Sequence, residues 1–312
     1  MSIPYLLASF TISVIAVPIF MKVAEKLGIV DRPDGVLKPH EKPIPYLGGL
    51  GILVGMVPAL WGDIHSLSLI WIASMLGLTD DVYDLHPKLR FTTEVILSTG
   101  LVYRYVGFEN WWYSLSLVVA FTALINAVNM IDGMDGVCAG SVAISALFFA
   151  FLSPNTFTSI LASSVVGSSL GYLVYNFPPA KVFMGDAGSY SLGMGLAILY
   201  ASAVRGPDPN RYSLIFIFPL WIYGLDLLAG FFRRIKAGRS PFKGDREHFY
   251  DKIYRRLKDK RKTLIVVYSL VGGFSILAVP CSFSKYACVV SVVIALVLSY
   301  SLIRKLNLLD YD

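Results

Sequence analysis

Eleven apolar runs alternate with short polar breaks along the chain: 3–21, 47–62, 66–80, 92–108, 112–130, 137–153, 156–177, 187–204, 212–232, 263–281 and 286–303. A bilayer-crossing helix needs roughly 20 mostly apolar residues, with a lower end near 17. The second and third runs are short on that scale; the others are long enough. The pattern predicts an all-α polytopic membrane protein with about eleven transmembrane helices. Pro and Gly interrupt many of the runs, which membrane helices tolerate when neighbours re-satisfy the backbone. Gly167 and Gly171 form a Gly-x-x-x-Gly pair, and Gly193 and Gly195 follow in the next run. Close helix packing is the expected use of both.

Composition agrees. Of 312 residues 55% are hydrophobic and only 15% charged, with mean hydropathy +0.63. Soluble domains carry roughly 25% charged residues. Residues 1–312 are expected to form a single integral-membrane catalytic domain, with a basic loop at 233–262 inside it. Cys138, Cys281 and Cys288 lie in or at the edge of apolar runs without a Cys-x-x-Cys pair. Neither a zinc site nor a disulfide framework is expected from them. The first basic side chain is Lys22, after the first run, so that run is expected to remain as a helix rather than a cleaved signal.

Basic residues set the orientation. With eleven spans, 23 of the 27 Lys and Arg fall in loops on one side, three (Arg205, Arg211 and Lys285) on the other, and Arg104 within a run. Segment 233–262 alone holds thirteen. The positive-inside rule assigns the rich side to the cytoplasm. The stretch Lys252 to Lys262 reads as a surface for anionic lipid headgroups. Arg239 to His248 mixes Gly, Pro, Asp and His into the charge and reads as an ordered loop.

Three acidic-polar clusters interrupt the hydrocarbon, all on the cytoplasmic side: Leu78 to Asp84, Asn126 to Gly136, and Phe183 to Ser189. Carboxylates near a bilayer are costly unless they function. Asp80, Asp81 and Asp84 would repel one another without a cation; a solvated helix end is the plain alternative. Asn126, Asn129 and Asp132 are spaced three apart, so they lie along one slowly drifting helix face, and Gly133 and Gly136 release the helix around Asp135. Asn amides can bond a base or phosphate or offer a metal an oxygen; interhelical hydrogen bonding is the rival use. Asp186 reads either as a helix cap with Ser189 in the first turn or as a metal ligand. Phe183 can stack on a base or anchor the membrane interface. Asp226 either pairs with Arg233 or Arg234 or lines the cavity. His65 and His86 read as surface residues.

In order and placement, these motifs resemble the polyprenyl-phosphate N-acetylhexosamine-1-phosphate transferases. The resemblance runs through His40-Glu-Lys-Pro-Ile-Pro-Tyr-Leu-Gly-Gly49, Asp80-Asp81, Asn126 to Gly136, Asn176 to Ser189, and Ser240-Pro-Phe to His248. It implies Mg²⁺-dependent transfer, with Mn²⁺ as a substitute, of a sugar-1-phosphate from a UDP-sugar to a polyprenyl phosphate, with release of UMP. The segment Lys42 to Gly49 differs from the Gly-Thr-Pro-Thr-Met-Gly-Gly of the branch using UDP-MurNAc-pentapeptide. It is similar to the UDP-GlcNAc branch that begins lipopolysaccharide and cell-wall polymers on undecaprenyl phosphate. Asp80, Asp81 and Asp132 would form the catalytic group, Asp80 as base or electrostatic positioner. Asp186 would be the main metal ligand with Asn129 beside it. Lys42, Asn126, Asn129, Asp135, Phe183, Arg246 and His248 would bind substrate. Many members close the last loop with several histidines; here the sequence is His248-Phe-Tyr-Asp251, which leaves sugar choice open. The expected partners are the UDP-sugar, the lipid acceptor and membrane lipids, without nucleic acid; a homodimer is an open option.

Two rivals differ in class. A secondary transporter would place its polar residues near the bilayer midplane, often with repeat symmetry. A CDP-alcohol phosphotransferase would carry a denser Asp-Gly-Ala-Arg motif, which this sequence lacks.

Overall fold

A computed structural model describes residues 1–31, 43–206, 208–241 and 244–311. Fourteen helices and one short ribbon appear among them. Helix α1 (Ile3–Leu27) leads into strands β1 (Val30–Asp31) and β2 (Ile44–Pro45), which pair antiparallel with Val30 opposite Pro45. Then follow α2 (Gly48–Leu60), α3 (Ile64–Tyr83), α4 (Pro87–Tyr105), α5 (Trp111–Met130), α6 (Val137–Leu152), α7 (Thr156–Asn176) and α8 (Gly185–Ala203). The last third comprises α9 (Pro209–Ile217), α10 (Trp221–Lys236), α11 (Phe249–Leu257), α12 (Lys260–Ser275), α13 (Ala278–Phe283) and α14 (Lys285–Leu306). Each of the eleven apolar runs lies on helix.

Six segments are long and apolar enough to cross a membrane: Ile3–Leu27, Trp111–Met130, Thr156–Asn176, Pro209–Lys236, Lys260–Phe283 and Lys285–Leu306. Gly48–Leu60 and Val137–Leu152 are shorter apolar helices. The chain is an all-α polytopic membrane protein. Pro219 breaks the ninth run, because it removes a backbone donor; the break is a 3₁₀ turn at Phe218–Leu220 that joins α9 to α10.

Helix α8 is the hub. Nearly all of it is buried, against α2, α3, α5, α6 and α7. A helix that is apolar all round belongs inside a bundle. Glycines permit its close neighbours. A Cβ at Gly49 would overlap the Gly188 backbone, and one at Gly77 would overlap the Asp186 carbonyl. Gly167 and Gly171 bring α7 against the carbonyls of Leu6 and Phe10 in α1, the close packing their spacing predicts.

One expectation fails here. Cys281 and Cys288 form a disulfide. The chain reverses through extended Ser284 between α13 and α14, which brings together two thiols seven residues apart. Cys138 is free and buried.

Candidate active site

The acidic clusters sit at helix ends, and packing around α8 joins them. Helix α3 ends at Asp84, whose positive φ of 49° turns the chain. Asp80 is buried, accepts the Leu85 amide at 2.8 Å and pairs with Arg90 of α4. Asp81 reaches across to the start of α8. Its two oxygens accept the amides of Asp186 (3.0 Å) and Ala187 (3.3 Å). These are orphan donors of a helix N-terminus, where a carboxylate is favourable. Asp186 is therefore not the cap of α8. It lies in the first turn, with Met184 at the cap position and Asp81 supplying the capping oxygens from another helix.

Helix α5 delivers the second cluster, and its three polar residues meet different partners. Steps of three residues rotate the direction enough that each meets a different neighbour. The Asn126 amide donates to Glu94 of α4 and to the Thr122 carbonyl. Asn129 accepts the Ser189 hydroxyl of α8 at 2.9 Å. Asp132 lies beyond the helix end, close enough to Asp186, Asp81 and Asp135 to feel their charges. Asp135 accepts from the Ala180 amide and from Lys260 at 2.8 Å, which ties the turn to α12. Asn176 accepts the Gly136 amide and donates to the Val182 carbonyl, linking the second cluster to the third. Phe183 is half-buried, and its backbone continues onto β2 through the Pro45 carbonyl and the Gly48 amide.

The carboxylates perturb one another. Burial first, then the charges of Asp81 and Asp80, push Asp186 up to about 8. Burial raises Asp81 to about 6 against the two amides that stabilise its charge. Asp132 is raised well above the usual carboxylate range by burial and by Asp186, Asp81 and Asp135. Such an acidic pocket favours a cation. The donors are hard oxygens, carboxylates plus the Asn129 amide, which suits Mg²⁺. Among the described residues no three His, Cys, Asp or Glu side chains close into a ready cage.

The loop after α10 covers this turn. Arg246 is exposed and donates to the Gly133 carbonyl at 3.0 Å. Tyr250 donates to the Met130 carbonyl at 3.1 Å and stacks on His248. His248 is buried. Its Nδ1 lies 2.6 Å from Asp226 Oδ2, and its Nε2 3.8 Å from Asp245. Asp226 also accepts the Phe249 amide at 2.9 Å, holding the start of α11. Burial alone would lower the His248 pKa, but Asp226, with Asp251 and Asp245, holds it above the usual value. Asp226 thus pairs with His248 and not with the arginines. Arg233 and Arg234 instead grip Asp245, which they hold down at about 2 against the opposing effect of burial.

Part of the basic stretch 252–262 is tied into the fold. Lys252 is 1% exposed and donates to the carbonyls of Asn307 and Asp310. Arg255 forks onto Glu247, Lys260 binds Asp135, and Arg261 reaches the Pro178 carbonyl. Lys42 and His40 lie outside the described residues. Arg90 and Glu94 were not singled out as site residues from the sequence, whereas Tyr250 was already named in the loop. Glu94, a charge within an apolar run, was the signal available for one of them.

Comparison with known proteins follows this geometry. Residues 64–204 match the family model described as glycosyl transferase family 4. A probable undecaprenyl-phosphate N-acetylglucosaminyl 1-phosphate transferase of Bacillus subtilis is 30% identical over 304 residues, covering 89% of this chain and 84% of its own length. The chain belongs to this transferase family. The undecaprenyl-phosphate alpha-N-acetylglucosaminyl 1-phosphate transferases of Thermotoga maritima and Escherichia coli K12 are each 28% identical. The first covers 91% of this chain and 92% of its own length, the second 82% and 78%. The family model spans α3 to α8, the helices whose ends carry all three acidic clusters of this transferase.

Proposed function

We propose that this transferase moves GlcNAc-1-phosphate from UDP-GlcNAc to undecaprenyl phosphate, with Mg²⁺, as the first membrane step of a cell-envelope polysaccharide. The observation that carries the reading is the convergence of Asp81, Asp132 and Asp186 from three chain segments, with Asn129 bonded alongside through Ser189. The relatives are named for the same transfer to undecaprenyl phosphate, which supports it.

In this reaction a phosphate oxygen of the lipid attacks the sugar-linked phosphorus of UDP-GlcNAc. The bond from that phosphorus to the bridging oxygen breaks, and UMP leaves with the oxygen. The lipid keeps the sugar-1-phosphate as a diphosphate. Phosphoryl transfer depends chiefly on alignment and charge neutralisation. Asp186, with Asn129, would hold Mg²⁺, which neutralises diphosphate charge when bound. Asp81 fixes the N-terminal turn of α8 and thereby aims Asp186. Asp80 is engaged by Arg90 and the Leu85 amide, and so acts as an electrostatic positioner. A phosphate monoester is already largely ionised near neutral pH, with a second pKa of about 6, so no base is needed there. Asp132 and Phe183 are assigned to the uridine end. Arg246, exposed and hydrogen-bonded to a backbone carbonyl, is assigned to the sugar and diphosphate. His248 anchors the loop that carries it.

We assign all eleven runs as spans and place the site on the cytoplasmic face of the plasma (inner) membrane. The basic-residue asymmetry supports this. So does the disulfide, which then falls in an extracytoplasmic loop where disulfides persist. The test is UMP release by purified protein with UDP-GlcNAc, with and without undecaprenyl phosphate, beside UDP-MurNAc-pentapeptide. Acceptor-dependent release from UDP-GlcNAc is expected. Equal or faster transfer from the pentapeptide donor would refute the branch, and no release from either would refute the reaction.

A further inference from the structure

A cavity of about 490 Å³ lies beyond the end of α10, lined by Arg234, Arg239, Ser240, Gly244 and Tyr311. None of these belongs to the acidic cluster. The lining is cationic, and among the described residues its charge is not balanced. Arg233 and Arg234 are 1% and 4% exposed, and both lean on one carboxylate, Asp245. Arg234 donates from Nε to Asp245 and from Nη1 to the Pro241 carbonyl, while its buried Nη2 has no partner. Arg239 adds a third guanidinium, 4.3 Å above the Tyr311 ring. The Tyr311 hydroxyl already donates to Asp245 at 3.1 Å. Nearby Lys236 is matched by Asp310 and offsets nothing here. Among the described residues three guanidiniums therefore share one carboxylate, and Arg234, which lines a space large enough for a ligand, keeps an unpartnered Nη2. Buried charge demands a partner.

We propose that this cavity binds a phosphate group, held by Arg234 and Arg239 with Ser240 at the rim. Guanidinium forks match tetrahedral phosphate oxygens, and a charge-assisted contact suits a buried donor. The neighbouring face of α10 exposes Leu228, Phe231, Phe232 and Ile235, so acyl chains have an apolar path beside the cationic mouth. A phospholipid headgroup and free phosphate share the required chemistry, and the experiment separates them.

Thermal melting of the detergent-purified chain would be followed in EDTA, which keeps Mg²⁺ from recruiting phosphate to the acidic cluster. The additions are inorganic phosphate against chloride at matched ionic strength, and short-chain phosphatidylglycerol against phosphatidylcholine. Wild type should melt about 2 °C or more higher at saturation with at least one phosphate source. Arg239→Gln, at an exposed position, should raise the half-saturating concentration at least about fivefold. Lys258→Gln, an exposed charge just after α11, should leave it unchanged. A response to inorganic phosphate identifies a soluble ligand, and a response to phosphatidylglycerol alone identifies a lipid headgroup. No rise with either source, or a smaller weakening in Arg239→Gln, overturns the proposal.

Discussion

Replacing Asp226 by Asn tests whether one intramembrane carboxylate governs the loop over the site. The carboxylate makes two bonds, to His248 Nδ1 at 2.6 Å and to the Phe249 amide at 2.9 Å. The amide of Asn can keep the second but loses the charge that faces the imidazole. A charge-assisted bond contributes about 1.5–3 kcal/mol, or roughly ten- to hundredfold in an equilibrium. The sign with pH follows from His248, whose folded pKa is raised above its usual value. The interaction is fully present below the unfolded pKa of about 6.5, and is lost as pH rises through the folded value. Asp251, pushed up to about 6 by burial, titrates nearby but is common to both proteins. Asp245, held at about 2, stays ionised throughout. Melting temperature and UMP release would be measured from pH 6 to 9 for wild type, Asp226→Asn, His248→Gln and the double variant. The wild-type advantage should be greatest near pH 6 and shrink toward pH 9, and the double variant should be no worse than the weaker single. A gap independent of pH, or additive single effects, would refute the coupling.

Three other outcomes are expected. Asp186→Asn should fold normally yet lose about a hundredfold or more in turnover, and EDTA should silence wild type; near-normal UMP release at ordinary Mg²⁺ would remove Asp186 from the metal. Asp80→Asn should lower the rate by a factor that stays flat above about pH 7, because the acceptor ionises unaided; recovery at alkaline pH would restore the base role. In a background without Cys138, Cys281 and Cys288, Gly244→Cys should be labelled only from the cytoplasm and Tyr286→Cys only from outside, the reverse pattern overturning the orientation.

The helices were legible because hydropathy is local. Every apolar run proved helical, and the breaks at Gly, Pro and Asp marked helix ends. The ribbon of Val30–Asp31 with Ile44–Pro45 and the nine-residue α11 were not legible, being too short to leave a period. Cluster positions were legible as well, since polar groups stand out against hydrocarbon. Their partners were not. Asp80 meets Arg90, Asn126 meets Glu94 and Asp226 meets His248 across 10, 32 and 22 residues, and only the packed bundle sets those distances. The disulfide stayed hidden for a related reason: two cysteines in apolar runs show a turn between them only once the helices are placed.

The basic residues divide between the fold and the surface. Thirteen lie in one segment, and the stretch Lys252 to Lys262 reads as a surface for lipid headgroups. In the folded chain five of the thirteen pair with internal carboxylates: Arg233 and Arg234 with Asp245, Lys252 and Arg255 with Glu247, Lys260 with Asp135. These pairs fasten the end of α10, α11 and the start of α12 around the turn at 130–136. Arg246 stands apart, exposed and, among the described residues, hydrogen-bonded to the Gly133 carbonyl alone, beside a cluster whose carboxylates already crowd one another. In the proposed reaction a donor bringing two phosphates to Asp81, Asp132 and Asp186 would add negative charge to a site that has too much. A cation among the carboxylates and the Arg246 guanidinium at the rim would answer that excess from opposite sides, with the internal pairs keeping the rim in place.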